Sequence, residues 1–136
     1  AFWAFRAGDY FVVNEQGERG GGLYKWIGYP QDIGGRLAFK VQENKRQFVI
    51  NEKGEQVGGD YDYVGRPLNI NGRSAFRARE GTREFIVNEA GEKTDREYDE
   101  IYAMKSLPDG RAYIIARKNN FYVKEIIRKE FFEWEI

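Results

Sequence analysis

The 136-residue chain contains no cysteine and no histidine. The first absence removes disulfides and a thiolate nucleophile. The second removes any His-based triad, and together they remove the usual zinc ligands. No metal or cofactor is expected, and the redox compartment is left open. Neither charge sign prevails: 22 Lys and Arg stand against 22 Asp and Glu, interspersed as in "ENKRQ" and "EKTDRE". A chain without a basic block has no footprint for a phosphate backbone, so nucleic acid is not an expected partner. No apolar run approaches the roughly 18 residues of a spanning helix, so membrane insertion is not expected. The chain opens at Ala1 rather than Met, as a processed or excised segment does, and it names neither compartment nor oligomeric state.

Aromatic residues are plentiful at 16%, with 10 Phe, 9 Tyr and 3 Trp. They favour strands and bring much apolar area per residue. A chain of this length buries roughly two-thirds of its unfolded surface, enough for a single domain without staples.

One phrase recurs. "FVVNEQGE" begins at Phe11, "FVINEKGE" at Phe48 and "FIVNEAGE" at Phe85, an interval of 37 residues. Rows of 37 begin at Ala1, Ala38, Ala75 and Ala112, each followed by an aromatic: Phe2, Phe39, Phe76 and Tyr113. "LYKWI" (23–27), "DYDYV" (60–64) and "EYDEI" (97–101) also align, and no gap is needed before the last loop of the third row. A fixed period of this size marks a repeat architecture. The expected organisation is one domain over 1–136, made of repeats 1–37, 38–74 and 75–111 and a partial, capping repeat 112–136.

Within the second row, "LAFKV" alternates as a strand does, and Asn44-Lys45 makes a turn. "RQFVI" follows, with Phe48 and Ile50 on one face and Val49 on the other. "NEKG" reads as a type I turn closed by a left-handed glycine, so Asn51 and Gly54 reverse the chain. "DYDYV" is expected to be a third or fourth strand. Pro30, Pro67 and Pro108 fall in the stretches that follow, read as exposed connections outside the ladders. The final "EIIRKEFFEWEI" reads as strand or helix, with strand preferred.

This order of "LAFKV", "FVINEKGE" and "DYDYV" resembles the bacterial WG (KWG) repeat family over nearly the whole chain. It diverges at the Trp-Gly dipeptide, where Gln47-Phe48 and Glu84-Phe85 stand. The resemblance implies β-hairpin repeats and a protein-interaction or scaffold role, and it carries no catalytic residues.

Positions shared by all rows hold a repeat fold; positions that vary are free to bind. Trp3, Lys40, Arg77 and Ile114 fill one variable position, and Trp26, Tyr63 and Glu100 another. Tyr29, Arg66 and Tyr102 extend the second strip. Trp, Tyr and Arg dominate interface hot spots, so Trp3, Trp26, Tyr29, Tyr63, Arg66 and Tyr102 are the candidate binding residues, with packing as the competing role for Trp26 and Tyr63. Asp62 and Asp99 are expected to cap turns or pair with Arg rather than to act as a hydrolytic carboxylate pair. Arg36, Arg73 and Arg111 are expected to pair with carboxylates such as Glu52 or Glu89.

The fold expected is all-β: tandem hairpin repeats stacked as an open twisted array, with a small closed propeller or trefoil as the alternative. The function expected is non-enzymatic protein binding, no catalytic residue being identified. The alternatives are an inhibitor or immunity protein that neutralises a toxin enzyme, and a carbohydrate-binding module.

Overall fold

The computed structural model describes residues 2–6, 9–13, 19–28 and 30–132, with side chains from Tyr24 onward. Among these residues fifteen strands form four antiparallel sheets; no α-helix is present and no sheet closes into a barrel. The chain is all-β. The first sheet comprises β1 (Phe2–Arg6), β2 (Asp9–Val13) and β3 (Arg19–Tyr24). The second is opened by two short strands, β4 (Trp26–Ile27) and β5 (Gln31–Ile33). It continues through β6 (Arg36–Glu43), β7 (Arg46–Asn51) and β8 (Gln56–Tyr61). The third repeats the plan with β9 (Tyr63–Val64), β10 (Leu68–Ile70), β11 (Arg73–Glu80) and β12 (Arg83–Asn88). Bridges Glu84↔Tyr98 and Val87↔Lys93 supply its last edge. The fourth contains β13 (Glu100–Ser106), β14 (Ala112–Lys118) and β15 (Phe121–Ile127), followed by a 3-10 turn at Lys129–Phe131.

The sheets are out of step with the sequence rows. "DYDYV" is divided at Asp62: Tyr61 ends β8, and Tyr63 opens β9 of the next sheet. The stretches after it, expected to be exposed and outside the ladders, carry ladder bonds instead, and Pro67 is buried. β5 and β10 pair with β6 and β11 across the two-residue turns Gly34-Gly35 and Asn71-Gly72. All four turn residues have positive φ, which gives the twist that tight hairpins require. Asp32 and Asn69 each accept a side-chain bond from the turn's last amide, at 2.8 and 2.7 Å. Proline stays outside these strands, so nothing prevents their pairing.

Strand alternation then places apolar residues on both faces. Phe39, Val41 and Ile50 join Tyr24 and Ile27 in one cluster. Ala38 and Val49, from the same two strands, join Phe76, Ala78, Phe85 and Val87 of the third sheet in a second. Ala75 and Ile86 meet Ile101, Ile114 and Ala116 of the fourth in a third. Each cluster is thus shared by consecutive sheets. Phe39, Phe76 and Phe85 are at most 2% exposed, and burial of each stabilises by about 2–3 kcal/mol.

The second and third copies of the recurring phrase act as expected, while the turn of the first, at Asn14 to Gly17, lies outside the described residues. Asn51 Oδ1 accepts bonds from the amides of Lys53 and Glu55, both at 2.9 Å, while Gly54 has φ +81°. Asn88 does the same for Ala90 and Glu92, at 3.0 and 2.9 Å, with Gly91 at φ +86°. In the last row the match slips by one residue, because the loop Leu107–Arg111 is longer than its counterparts. Phe76 corresponds to Ile114, not Tyr113, and Phe85 to Val123, not Tyr122. The pairings Ala78↔Val64 and Ala116↔Ile101 set this offset. The hairpin turn accordingly lies at Asn119-Asn120, one residue beyond the place that the 37-residue interval from Asn44-Lys45 would give, with φ of 51° and 67°. The terminal segment is strand through Ile127, and Asn88 Nδ2 donates to the Phe131 carbonyl at 2.7 Å, tying the closing turn to the third sheet.

Gly91 fits against the second sheet so closely that an added Cβ would lie 2.8 Å from the Gly58 nitrogen. Gly72, at φ +84°, has nothing within 4 Å of such an atom. Urea denaturation should show Gly91→Ala losing about 2–4 kcal/mol and Gly72→Asn less than about 1 kcal/mol. Equal losses would contradict the close approach.

Candidate functional site

Three of the six candidate residues converge. Tyr63 from β9, Arg66 from the following loop and Tyr102 from β13 rim one recess of about 200 Å³ between the third and fourth sheets. Its lining includes Leu68, Ile86 and Met104. The chain brings Tyr102 to this rim because β13 pairs with β14 while its Ile101 enters the shared cluster. Tyr102 is 44% exposed, and its ring lies 5.9 Å from that of Tyr122 on β15. Arg66 is exposed.

Trp26 lies elsewhere. It is 43% exposed and lines a second recess of about 340 Å³ with Lys25, Lys40, Gln42 and Gln47. Trp3 lies on β1 opposite Val12, and its side chain is outside the described residues, as is Tyr29. Tyr63 has a packing role as well: the Lys40 ammonium sits 4.4 Å from its ring centroid, and the Arg77 guanidinium 5.4 Å. Burial, and then Arg77, lower the Lys40 pKa, opposed by Tyr63. Lys40 and Arg77 are therefore not free surface positions. Both reach from one sheet to the next, and Ile114 of the same nominal position is buried.

Arg77 forms one wall of the first recess. Its Nη1 donates to the Ile101 carbonyl and its Nη2 to the Tyr63 hydroxyl at 3.4 Å. Its Nε is buried and makes no hydrogen bond, with Glu84 Oε1 at 4.0 Å. Glu84 is 2% exposed. Oε1 accepts from the Ile101 amide at 2.7 Å, and Oε2 from Arg79 Nε at 2.9 Å. One row earlier, Gln47 Oε1 accepts from the Val64 amide at 3.0 Å, and its Nε2 lies 3.5 Å from Gln42 Oε1. The same position ties the second sheet to the first strand of the third, and the third to the first strand of the fourth. It is the place where the Trp-Gly dipeptide would stand, and its role was missed in the sequence. The available signal was the paired change from Gln42 with Gln47 to Arg79 with Glu84 across one interval.

The remaining polar candidates are structural. Asp62 Oδ2 accepts from the Gly81 amide at 2.8 Å and Oδ1 from Arg46 at 2.7 Å. Asp99 pairs with Arg83 at 2.8 Å and accepts from the Asn120 amide at 3.3 Å. Each aspartate caps the next hairpin turn. Arg36 and Arg73 share Glu89, at 3.0 and 3.4 Å, and Arg111 pairs with Asp109 at 2.6 Å. Among the described residues no group of three or more His, Cys, Asp or Glu is placed to hold a metal ion. None of their helices is long and apolar enough to cross a membrane. In comparisons with known proteins the chain matches no family model, no curated protein and no solved structure.

Glu84→Ala strips the Ile101 amide and Arg79 of their acceptor and should cost about 2–4 kcal/mol. Glu84→Gln keeps an acceptor for Ile101, as Gln47 does for Val64, and should cost about half as much in the same denaturation assay. Similar losses for both would rule out the amide bond as the main contribution. The Gly81 amide, and then Arg46, hold the Asp62 carboxyl below its usual range. That contribution is complete above the unfolded carboxylate pKa near 4 and is lost as pH falls through the lower folded value. The stability gap between the wild type and Asp62→Asn should therefore narrow between about pH 5 and pH 2; a gap that stays constant would remove the effect.

Proposed function

We propose that the chain is a non-enzymatic protein-binding repeat domain, its sheets stacked as an open twisted array, with a contact surface centred on Tyr63, Arg66 and Tyr102. The observation that carries this reading is the convergence of these residues, from two different sheets, around one recess with an apolar lining. Exposed Arg and Tyr over apolar side chains is the composition of interface hot spots. The carboxylates singled out from the sequence are engaged in turn capping and ion pairing, which favours binding over hydrolysis. The resemblance to WG repeats points the same way. A second reading, carbohydrate binding, is favoured by Trp26, whose exposed ring borders a larger recess with two glutamine side chains.

Arg66→Ala combined with Tyr102→Ala alters exposed side chains and should leave the melting transition nearly unchanged. It should lower capture of the native partner from a host extract by about tenfold or more, read by quantitative mass spectrometry. Lys53→Ala, on the turn after β7, serves as the control and should capture like wild type. Undiminished capture by the double variant, or glycan cleavage by the purified chain, would overturn the proposal. Glycan-array binding that is lost in Trp26→Ala would select the second reading.

A further inference from the structure

The fourth sheet ends differently from the other three. In the first sheet β2 is covered on its outer edge by β3, in the second β7 by β8, and in the third β12 by residues 93–98. Among the described residues β15, the equivalent strand, pairs only with β14. We propose that the outer edge of β15 receives an extended segment of a partner protein as a fourth strand. This rests on the protein-binding reading and gives it a location and a mode.

The chain's own repeats define the vacancy. Glu84 exchanges both backbone bonds with Tyr98, at 2.8 and 2.9 Å, and the Ile86 carbonyl accepts from Thr94 at 2.9 Å. With the one-residue slip, Tyr122 and Lys124 stand at these positions and present the same groups outward. The side chains have changed accordingly. Arg46 and Arg83 reach the carbonyls of Asp60 and Glu97 and hold the covering strand in place. Phe121 occupies that position in the fourth sheet and is 73% exposed; Tyr122, in the place of Glu84, is 77% exposed. A strand edge with bare backbone groups and large apolar side chains templates pairing with another chain, and native proteins normally blunt such edges.

The covering segments also show what fits. Tyr24, Tyr61 and Tyr98 lie opposite Tyr10, Gln47 and Glu84. In β3 and β8 the register then shifts, and Gly58 at φ +77° provides the irregular backbone. The segment that completes the fourth sheet is accordingly extended, kinked by glycine and aromatic opposite Tyr122. Its apolar side chains lie along Phe121 and the Tyr102–Tyr122 pair, which joins this edge to the recess already described. Main-chain bonds supply the affinity and the alternate side chains the specificity, as in strand addition generally.

The probe is an acetylated, amidated peptide of residues 54–63, "GEQVGGDYDY". Titrated into the whole chain, it should bind saturably and shift backbone amide resonances of β15 and its neighbours. Methylating alternate peptide nitrogens should abolish binding. Lys124→Pro removes an outward donor while sparing the bonds to β14, and should weaken binding by about tenfold or more. Tyr122→Asp, at a largely exposed side chain, gives the same reading should the proline variant not fold. The proposal fails if no shifts appear up to about 1 mM peptide, or if methylation is without effect. It also fails if Lys124→Pro dissociates a dimer of the chain, or if the peptide binds only after residues 133–136 are removed, since a second copy or the chain's own tail then holds the edge. Loss of partner capture in the Arg66 and Tyr102 variant but not in Lys124→Pro sinks this edge alone and leaves the wider reading standing.

Discussion

A hairpin with apolar residues at both odd and even positions has two faces to keep from water. That constraint organises the molecule. Phe76 and Ala78 enter one cluster while Ala75, the residue before Phe76 on the opposite face of the strand, enters the next. A sheet built this way is stable only with neighbours on both sides, and repetition supplies them. Turns, capping aspartates and arginine pairs hold the hairpins, but the shared clusters remove the largest apolar area.

Polar groups on those faces then need partners. Lys40 and Arg77 lie against Tyr63, and Glu84 binds the Ile101 amide of the following sheet. A buried carboxylate contributes little net stability compared with a well-packed apolar replacement, but leaving it unpaired is costly. Tyr98 shows the same coupling at the chain's end. Burial, and then its 2.6 Å bond to Glu125, push its hydroxyl well above the usual range. The proposed contact surface lies beside this polar seam, where Arg77 retains one unsatisfied donor next to an apolar recess.

Much of this was legible at the level of turns. Asn51, Gly54, Asn88 and Gly91 shape their turns through contacts within a few residues of themselves, whereas Asp62 and Asp99 cap amides 19 and 21 residues further along the chain. The short strands β5 and β10 were not legible. Three residues beside glycine and proline resemble a loop, and they are strands only because β6 and β11 offer a ladder. The slip in the last row was equally hidden: Ala112 and Tyr113 repeat the alanine–aromatic pattern of Ala75 and Phe76, yet packing against Ile101 selects Ile114 for the buried place. Of the site, Tyr63, Arg66 and Tyr102 were found by asking which aromatic and arginine positions vary. Glu84 was overlooked, because a charged residue on an alternating strand normally faces solvent.

By itself the sequence determined the all-β class, the 37-residue period, the reversing turns and the absence of thiol and imidazole chemistry. These follow from local backbone preference and from residue types, which need no partner to be read. Tertiary structure decided where one sheet ends and the next begins, which variable residues gather at one recess, and that β15 pairs on one side only among the described residues. Each depends on contacts between residues distant in sequence, and only packing of the sheets specifies which of the two faces of a strand those contacts use.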